Sequence, residues 1–243
     1  EAPASGRGGL TAALEARLLA AVEAARAALG EGDAERIAAM LPVRERWRLY
    51  PAFAEEAAFV DVETDADGDV TTVAALDADG PRLFLRGRDL DRFPEAAARW
   101  KLLVTYNGLA FDAPLLERAF PGWRAPRAHV DLRPLWARLG HEGGLKLLEI
   151  ATGVGRPAHL SGLDGNGAVS LWRRHVDGEP GALRLLAEYN LYDAVNLKAL
   201  AALGYNRMVE RLALPAEPLP RWERGDVLYD LSKLLLALPE ARG

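Results

Sequence analysis

The order of strand and helix candidates is the feature that most constrains how this chain can fold. Residues 57–87 hold three short apolar runs, AAFVDVET, TTVAALDADG and PRLFLRG, with Asp-Gly turns between them. Asp and Gly allow the backbone angles that tight turns need, so this spacing predicts a three-stranded antiparallel meander. Strand and helix candidates then alternate through KLLVTYNG, APLLERAF, AHVDL and PLWARLG. Together they predict an α/β fold whose mixed sheet, antiparallel and then parallel, is flanked by helices.

Helical segments extend the chain on both sides of this region. Residues 10–29 are rich in Ala and Leu with charges at helical spacing, and Gly30 follows as a stop signal. A last amphipathic helix is predicted around 226–237, after the proline-rich PAEPLP. We therefore divide the chain into a helical N-terminal extension and connector (1–50), a main domain (51–207) and a C-terminal tail with one helix (208–243).

Two segments late in the main domain differ in pattern. Residues 155–170 are rich in Gly and lack any period, which is typical of a loop. Residues 181–203 show the longest helical pattern of the domain, and Gly204 is the predicted end of that helix. The main domain is therefore expected to close on one long helix.

Composition excludes several kinds of site. The chain has no cysteine, which excludes disulfides, thiolate zinc sites and cysteine nucleophiles. No two of its four histidines are four residues apart, as two histidine ligands of a helical zinc site would be, and we interpret each as an ordinary surface or loop residue. The net charge of −5 is not that of a typical nucleic-acid binder, although a site built of carboxylates carries its own negative bias. No signal-peptide pattern or long apolar span occurs, so a cytoplasmic protein without a membrane segment is expected.

An acidic pair marks the end of the first strand candidate. Asp61 and Glu63 lie two residues apart, so a strand points both side chains to one face. Neighbouring carboxylates repel each other and lose hydration in a sheet. A divalent cation such as Mg²⁺, which prefers oxygen ligands, would compensate them. The alternative is a strand end that simply opens into an acidic turn.

Three further polar residues are candidates for the same site. Asp112 stands before Ala-Pro and an apolar run, so it fits a helix N-cap as well as a metal ligand. Asp193 lies inside the predicted long helix, where Asp is unfavourable. Tyr189 is four residues earlier and therefore on the same helix face, which is unusual for a face otherwise built of Leu and Val.

Three segments carry a resemblance to a known superfamily. FVDVET, TYNGLAFDAPLL and EYNLYDAVNL resemble, in this order, the three motifs of the DEDD exonuclease superfamily, and the last two are similar to family B DNA polymerase proofreading domains. LKLLEIATGVGRP and LDGNGAVSLWRR further resemble the YprB-type ribonuclease H-like family, over about residues 40–207. The resemblance implies a ribonuclease H-like fold and a nuclease that acts on DNA or RNA.

One position in the third motif distinguishes two branches of that superfamily. The histidine branch carries His five residues before the last Asp, where this chain has Glu188. The tyrosine branch, DEDDy, carries Tyr four residues before it, where this chain has Tyr189. The chain therefore resembles the tyrosine branch. It departs from many relatives after the first motif, because Thr64 is followed by the acidic turn DADGDV instead of Gly-Leu.

The resemblance also implies a mechanism with two ions, Mg²⁺ or Mn²⁺. Two metals about 4 Å apart activate a water molecule and stabilise the leaving oxygen of a phosphodiester. Asp61 would bridge the ions, while Glu63 and Asp193 would complete the site of the attacking water. Asp112 would hold the other ion through water, and Tyr189 would orient the nucleophilic water without binding metal.

Other polar residues near these motifs have two interpretations each. Thr64 and Asn107 are candidates for substrate contact, although Asn107 fits a turn equally well. Asp131, at the end of AHVDL, is either an acid beside the site or the cap of a helix that begins near Pro134. Lys146 is either a phosphate contact or a solvated helix residue.

Three functions are consistent with these features. The main hypothesis is a 3′–5′ exonuclease on single-stranded ends, and the second is a structure-selective endonuclease with the same site. The third is a nucleic-acid-binding or scaffolding protein with a vestigial site, which the intact set of carboxylates disfavours. The helical extensions suggest contact with a protein partner or self-association.

Overall fold

In the computed structural model, which describes residues 11–160, 162–220 and 229–238, five strands form one mixed sheet. The strands are β1 (Ala57–Thr64), β2 (Val70–Asp77), β3 (Gly80–Leu85), β4 (Leu102–Thr105) and β5 (His129–Asp131), in the order β3-β2-β1-β4-β5. β1, β2 and β3 pair antiparallel, and β4 and β5 continue the sheet parallel to β1. The predicted mixed sheet, antiparallel and then parallel, is confirmed.

Helices cover the sheet, and further helices precede its first strand and follow its last strand along the chain. They are α1 (Ala12–Gly30), α2 (Ala34–Met40), α3 (Tyr50–Phe53), α4 (Phe93–Ala97), α5 (Asp112–Ala119), α6 (Leu132–Arg138), α7 (Leu145–Thr152), α8 (Gly165–Val176), α9 (Ala182–Arg211) and α10 (Ser232–Leu236). Short 3-10 turns lie at Val43–Leu49, Ala54–Glu56, Leu90–Arg92 and Ala158–Leu160. Among the described residues, no helix combines the length and the apolar character that crossing a membrane requires.

The strand β1 divides the core into two layers. Phe59 packs in the cluster that contains the buried face of α9, whereas Val60 packs in the opposite cluster with Phe93 and Leu116. Side chains alternate along a strand, so Asp61 and Glu63 follow Phe59 on the α9 side. The long helix α9 packs against both β1 and β2 on this side.

The connector before β1 is part of the packed structure. Its 3-10 turn, Val43–Leu49, buries Trp47, whose ring lies 5.7 Å from that of Tyr205. In α2, the Glu35 carboxylate accepts hydrogen bonds from the backbone N–H groups of Arg127 and Ala128, at 3.1 and 2.8 Å. These contacts attach the N-terminal helical segment to the chain that enters β5.

The predicted loop over 155–170 is wrong in its last part. Helix α8 begins at Gly165, because the Asp164 side chain accepts the Gly167 N–H at 2.9 Å and so satisfies an N-terminal donor of the helix. The glycine-rich composition concealed this start. The segment before it carries only the 3-10 turn Ala158–Leu160 in the residues that the structure describes.

The predicted end of the long helix at Gly204 is also wrong. Helix α9 continues through this position to Arg211. A Cβ at Gly204 would lie 2.8 Å from Leu135 Cδ2 and 3.3 Å from Trp136 Nε1. Glycine is therefore needed for close packing of α9 against α6. Of the helix predicted around 226–237, Ser232–Leu236 is observed, and 226–228 lie outside the described residues.

Candidate metal centre

Three carboxylates from β1 and α9 converge. Asp61, Glu63 and Asp193 each offer an oxygen, and these oxygens lie within 4.8 Å of one another. The strand period puts Asp61 and Glu63 on the α9 side of β1, and Asp193 faces them from the middle of α9. Glu63 and Asp193 are buried, and Asp61 is half-buried. The structure thus brings together three of the four carboxylates expected from the sequence.

A β-bulge shapes the strand end that carries the acidic pair. The register of β1 and β2 shifts between Glu63 and Thr64, and the Thr71 hydroxyl donates to the Glu63 carbonyl at 3.0 Å. Bulges change the direction of neighbouring side chains and are common beside functional sites. Thr64, at the end of β1, is half-buried, and its contact with substrate stays a prediction.

The fourth carboxylate, Asp112, is the first residue of α5 and is buried. The N-cap position is Phe111, and burial raises the pKa of the Asp112 carboxyl more than the backbone N–H groups of Val62 and of Asp112 itself lower it. Asp112 lies outside the 4.8 Å group, yet it is close enough for its charge to raise the pKa of both Asp61 and Glu63. It therefore belongs to the same electrostatic unit.

The acidic group is unfavourable when it is fully ionised. Burial, together with the Asp193 charge, raises the pKa of Asp61 and of Glu63 well above the usual range. Burial, with smaller effects from Asp131 and Asp193, raises the pKa of Asp112 to about 7. Such shifts arise when carboxylates lose water and face one another, and a bound cation reverses them.

Two cations contact Asp193, and the sequence did not reveal these contacts. Lys146 in α7 and Arg156 just after it both donate to Asp193 Oδ1. Arg156 also binds both carboxylate oxygens of Glu149, at 3.0 and 2.8 Å. The Lys146 ammonium lies 4.4 Å from the centre of the Tyr189 ring. The interpretation of Lys146 as a solvated helix residue is therefore wrong.

Tyr189 lies beside the acidic group, one helical turn before Asp193, and is buried. Burial and the nearby Asp193 and Glu63 charges raise its pKa far above the ordinary value, so the phenol keeps its proton at neutral pH. Glu188 turns away and lies 3.0 Å from His159. Of the two positions that separate the branches, Tyr189 is therefore the one beside the carboxylates.

A polar stripe on α9 continues the site. The Asn190 amide donates to Asp61 Oδ2 at 2.7 Å, and the Asn196 amide donates to Glu149 Oε1 at 2.9 Å. Both asparagines are fully buried. We did not predict them, but the polar residues at 190, 193 and 196 recur every three residues along the helix. That spacing marks one helix face and could have identified them.

Asn107 and Asp131 meet at the ends of β4 and β5. The Asn107 backbone has a φ of 69° and its N–H donates to Asp131 Oδ1 at 2.7 Å, which confirms the turn. Asp131 also accepts the Arg133 N–H and caps α6, which begins at Leu132 instead of near Pro134. Contact of the Asn107 side chain with substrate stays a prediction.

One histidine differs from the expected surface or loop residue. His129 is buried in β5, with Nε2 2.8 Å from the Thr105 hydroxyl. Burial lowers the pKa of His129 to about 4, so it is neutral at physiological pH. It is a residue of the sheet interior.

The donor set fits a hard divalent cation. The converging ligand atoms are all carboxylate oxygens, which Mg²⁺ and Mn²⁺ prefer. Beside them, the buried Asn190 Oδ1 has no hydrogen-bond partner among the described residues. A metal-bound water would satisfy such an acceptor.

The chain matches a known family over more than half of its length. The RNase H superfamily model matches residues 58–205. The matched segment contains the four carboxylates and Tyr189. No curated protein and no solved structure compared with the chain matches it.

Proposed function

Because this chain belongs to the RNase H superfamily, we propose that it is a DEDDy-type 3′–5′ exonuclease that acts on single-stranded ends of nucleic acid. Superfamily membership and the acidic group support the coarser assignment, a metal-dependent nuclease with nucleic acid as its substrate. One observation carries the finer assignment. Tyr189 lies one turn before Asp193 on a helix face that meets Asp61 and Glu63.

The four carboxylates have distinct parts in this proposal. Asp61, Glu63 and Asp193 would hold a Mg²⁺ or Mn²⁺ ion, and Asp112, whose charge acts on Asp61, would help to hold a second one. A pair of such ions supplies an activated water and neutralises charge on the leaving oxygen. Asn190 fixes the orientation of the Asp61 carboxylate through its 2.7 Å hydrogen bond.

Tyr189 orients the attacking water and does not act as a base. Its raised pKa keeps the phenol protonated, so its hydroxyl donates a hydrogen bond to the water oxygen. Lys146, whose ammonium lies 4.4 Å from the ring centre, helps to fix the position of the ring. Thr64 and Asn107 remain candidates for contact with the substrate strand.

Degradation of end-labelled single-stranded DNA and RNA with Mg²⁺ or Mn²⁺ tests the proposal. The wild-type chain should release nucleotides from the 3′ end, and Asp61→Ala and Asp193→Ala should abolish this release. Asp67→Ala is the matched control, because Asp67 is an exposed aspartate in the turn after β1 and outside the acidic group. Activity that survives both site substitutions would contradict the assignment.

Circular and linear substrates separate the alternatives. Cleavage of circular single strands at a rate similar to that of linear strands would indicate an endonuclease. Failure to cut any substrate, together with failure to bind Mn²⁺ in calorimetry, would indicate a nucleic-acid-binding or scaffolding protein with a vestigial site.

A further inference from the structure

The segment between β4 and α5, residues 106–111, leads directly to Asp112 and is held by Asp131. The Asp131 carboxylate accepts the Asn107 N–H at 2.7 Å on Oδ1 and the Leu109 N–H at 3.2 Å on Oδ2. Asp131 and Thr105 are register partners in the parallel pair of β5 and β4. One carboxylate therefore binds two backbone positions of the loop that follows β4.

The loop adopts a conformation that needs such an anchor. Asn107 has a φ of 69°, which costs free energy for a residue other than glycine. A Cβ at Gly108 would lie 2.2 Å from the Thr105 hydroxyl oxygen, so the backbone turns back tightly onto the end of β4. The two N–H groups then converge on a single anionic acceptor, where charge-assisted hydrogen bonds are strong.

The anchored loop is continuous with the start of α5. The Asn107 carbonyl accepts the N–H groups of Ala110 and Phe111, and the Gly108 carbonyl accepts the Ala113 N–H at 2.9 Å. Asp112 lies between the last two of these donors. A direct chain of hydrogen bonds thus runs from Asp131 to the backbone on both sides of Asp112.

Capping of α6 alone does not account for this arrangement. A cap needs one acceptor for the Arg133 N–H, which Asp131 Oδ1 supplies at 3.0 Å. Asp164 does only that for α8, through its bond to Gly167, and is exposed. Asp131 is buried, and its carboxylate oxygens also accept the N–H groups of Asn107 and Leu109 in the loop.

We propose that Asp131 is a positioning residue that fixes Asp112 in the metal centre through the backbone of Asn107 and Leu109. The inference rests on the proposed function only where it concerns metal. The loop itself is held whether or not metal binds.

Hydrogen exchange of the full metal-free chain tests the first part. Asp131→Ala should increase exchange of the amides over 107–113, and Asp131→Asn, which keeps one carbonyl oxygen toward Asn107 and Arg133, should lie between it and the wild type. Asp164→Ala should leave these amides unchanged. Unchanged exchange over 107–113 in Asp131→Ala would overturn the proposal, whatever the nuclease assay shows.

A double-mutant cycle on Mn²⁺ affinity tests the second part. Asp131→Ala and Asp112→Asn should each weaken binding of one ion by about 10–100-fold, and the double variant should be no weaker than Asp112→Asn alone. Effects that add, or wild-type affinity in Asp131→Ala with rapid exchange in the loop, would overturn the link to Asp112. If the wild type binds no Mn²⁺, the proposed function fails, and the exchange measurement still decides whether Asp131 holds the loop.

Discussion

Asp193 and Asp112 approach the same strand from helices on opposite faces of the sheet, but the protein supports them differently. Asp193 contacts two cations, Lys146 and Arg156. In the described part of the chain, Asp112 makes no ion pair, and burial raises its pKa more than the backbone N–H groups of Val62 and Asp112 lower it. One flank of the site is therefore neutralised by the protein itself, whereas the other has no cationic partner among the described residues.

The largest expected effect concerns the neutralised flank. Asp193→Asn keeps the shape of the side chain and removes the charge that the proposed metal requires. Loss of several kcal/mol of transition-state stabilisation corresponds to a fall in kcat of about 10³-fold or more. Single-turnover cleavage at saturating Mn²⁺ measures it. A fall of less than about tenfold would show that Asp193 serves Lys146 and Arg156 instead of the reaction.

The two cations of that flank should differ in their structural importance. Arg156 is mostly buried and donates to both carboxylate oxygens of Glu149, while Lys146 is more exposed. Arg156→Met should destabilise the metal-free protein by about 3–5 kcal/mol, because buried carboxylates lose their partner. Lys146→Met should cost about 1 kcal/mol or less. Urea unfolding compares them, and equal losses would contradict the distinction.

Substitution of Tyr189 tests whether α9 contributes to the reaction beyond the binding of metal by Asp193. Tyr189→Phe removes the hydroxyl and keeps the ring beneath Lys146, so kcat should fall by about 10²-fold, with Mn²⁺ affinity unchanged. Glu188→Gln is the matched control, because Glu188 points to His159 and its loss should leave kcat unchanged. A larger effect of Glu188→Gln than of Tyr189→Phe would argue against the tyrosine branch.

The smallest expected effect is a pH dependence of the stability of the metal-free protein, which arises from Asp112. The pKa of Asp112 is raised from 3.8 to about 7 in the folded protein, so its ionised form is disfavoured there. The stability that this group contributes to the metal-free protein is therefore lost as pH rises from about 4 through about 7. Thermal unfolding in EDTA across this range should show it, and Asp112→Asn should flatten the profile.

Metal binding should show the opposite trend over the same range. Ligand carboxylates must lose their protons, so Mn²⁺ affinity should rise up to about pH 7 and binding should release protons. Calorimetry in buffers with different ionisation enthalpies counts the released protons. Proton release that is the same in Asp112→Asn and in the wild type would show that another group titrates.

The sequence predicted those parts of the site that depend on local periodicity. The two-residue strand period aligned Asp61 with Glu63, and the helical period aligned Tyr189 with Asp193. Lys146 and Arg156 could not be found in this way, because their contacts with Asp193 bridge 47 and 37 residues. Such pairs depend on how α7 and α9 pack, which no local pattern encodes.

The two errors in the fold have different origins. Gly204 was expected to end a helix because glycine disfavours helix interiors, but packing against Leu135 and Trp136 requires a residue without a side chain there. The start of α8 was missed because glycines surround Asp164, although the side chain of Asp164 caps the helix. In both cases a tertiary or capping contact outweighed local propensity.

Calorimetric titration of the full chain with Mn²⁺ at pH 8 tests whether Asp61, Glu63 and Asp193 form a metal site. We expect that the wild type binds Mn²⁺, and that Asp61→Asn and Asp193→Asn each weaken binding by at least about tenfold. Asp67→Asn, an exposed carboxylate in the turn after β1, should bind as the wild type does. Binding of equal strength in all four proteins, or no binding by the wild type, would contradict the assignment of this site.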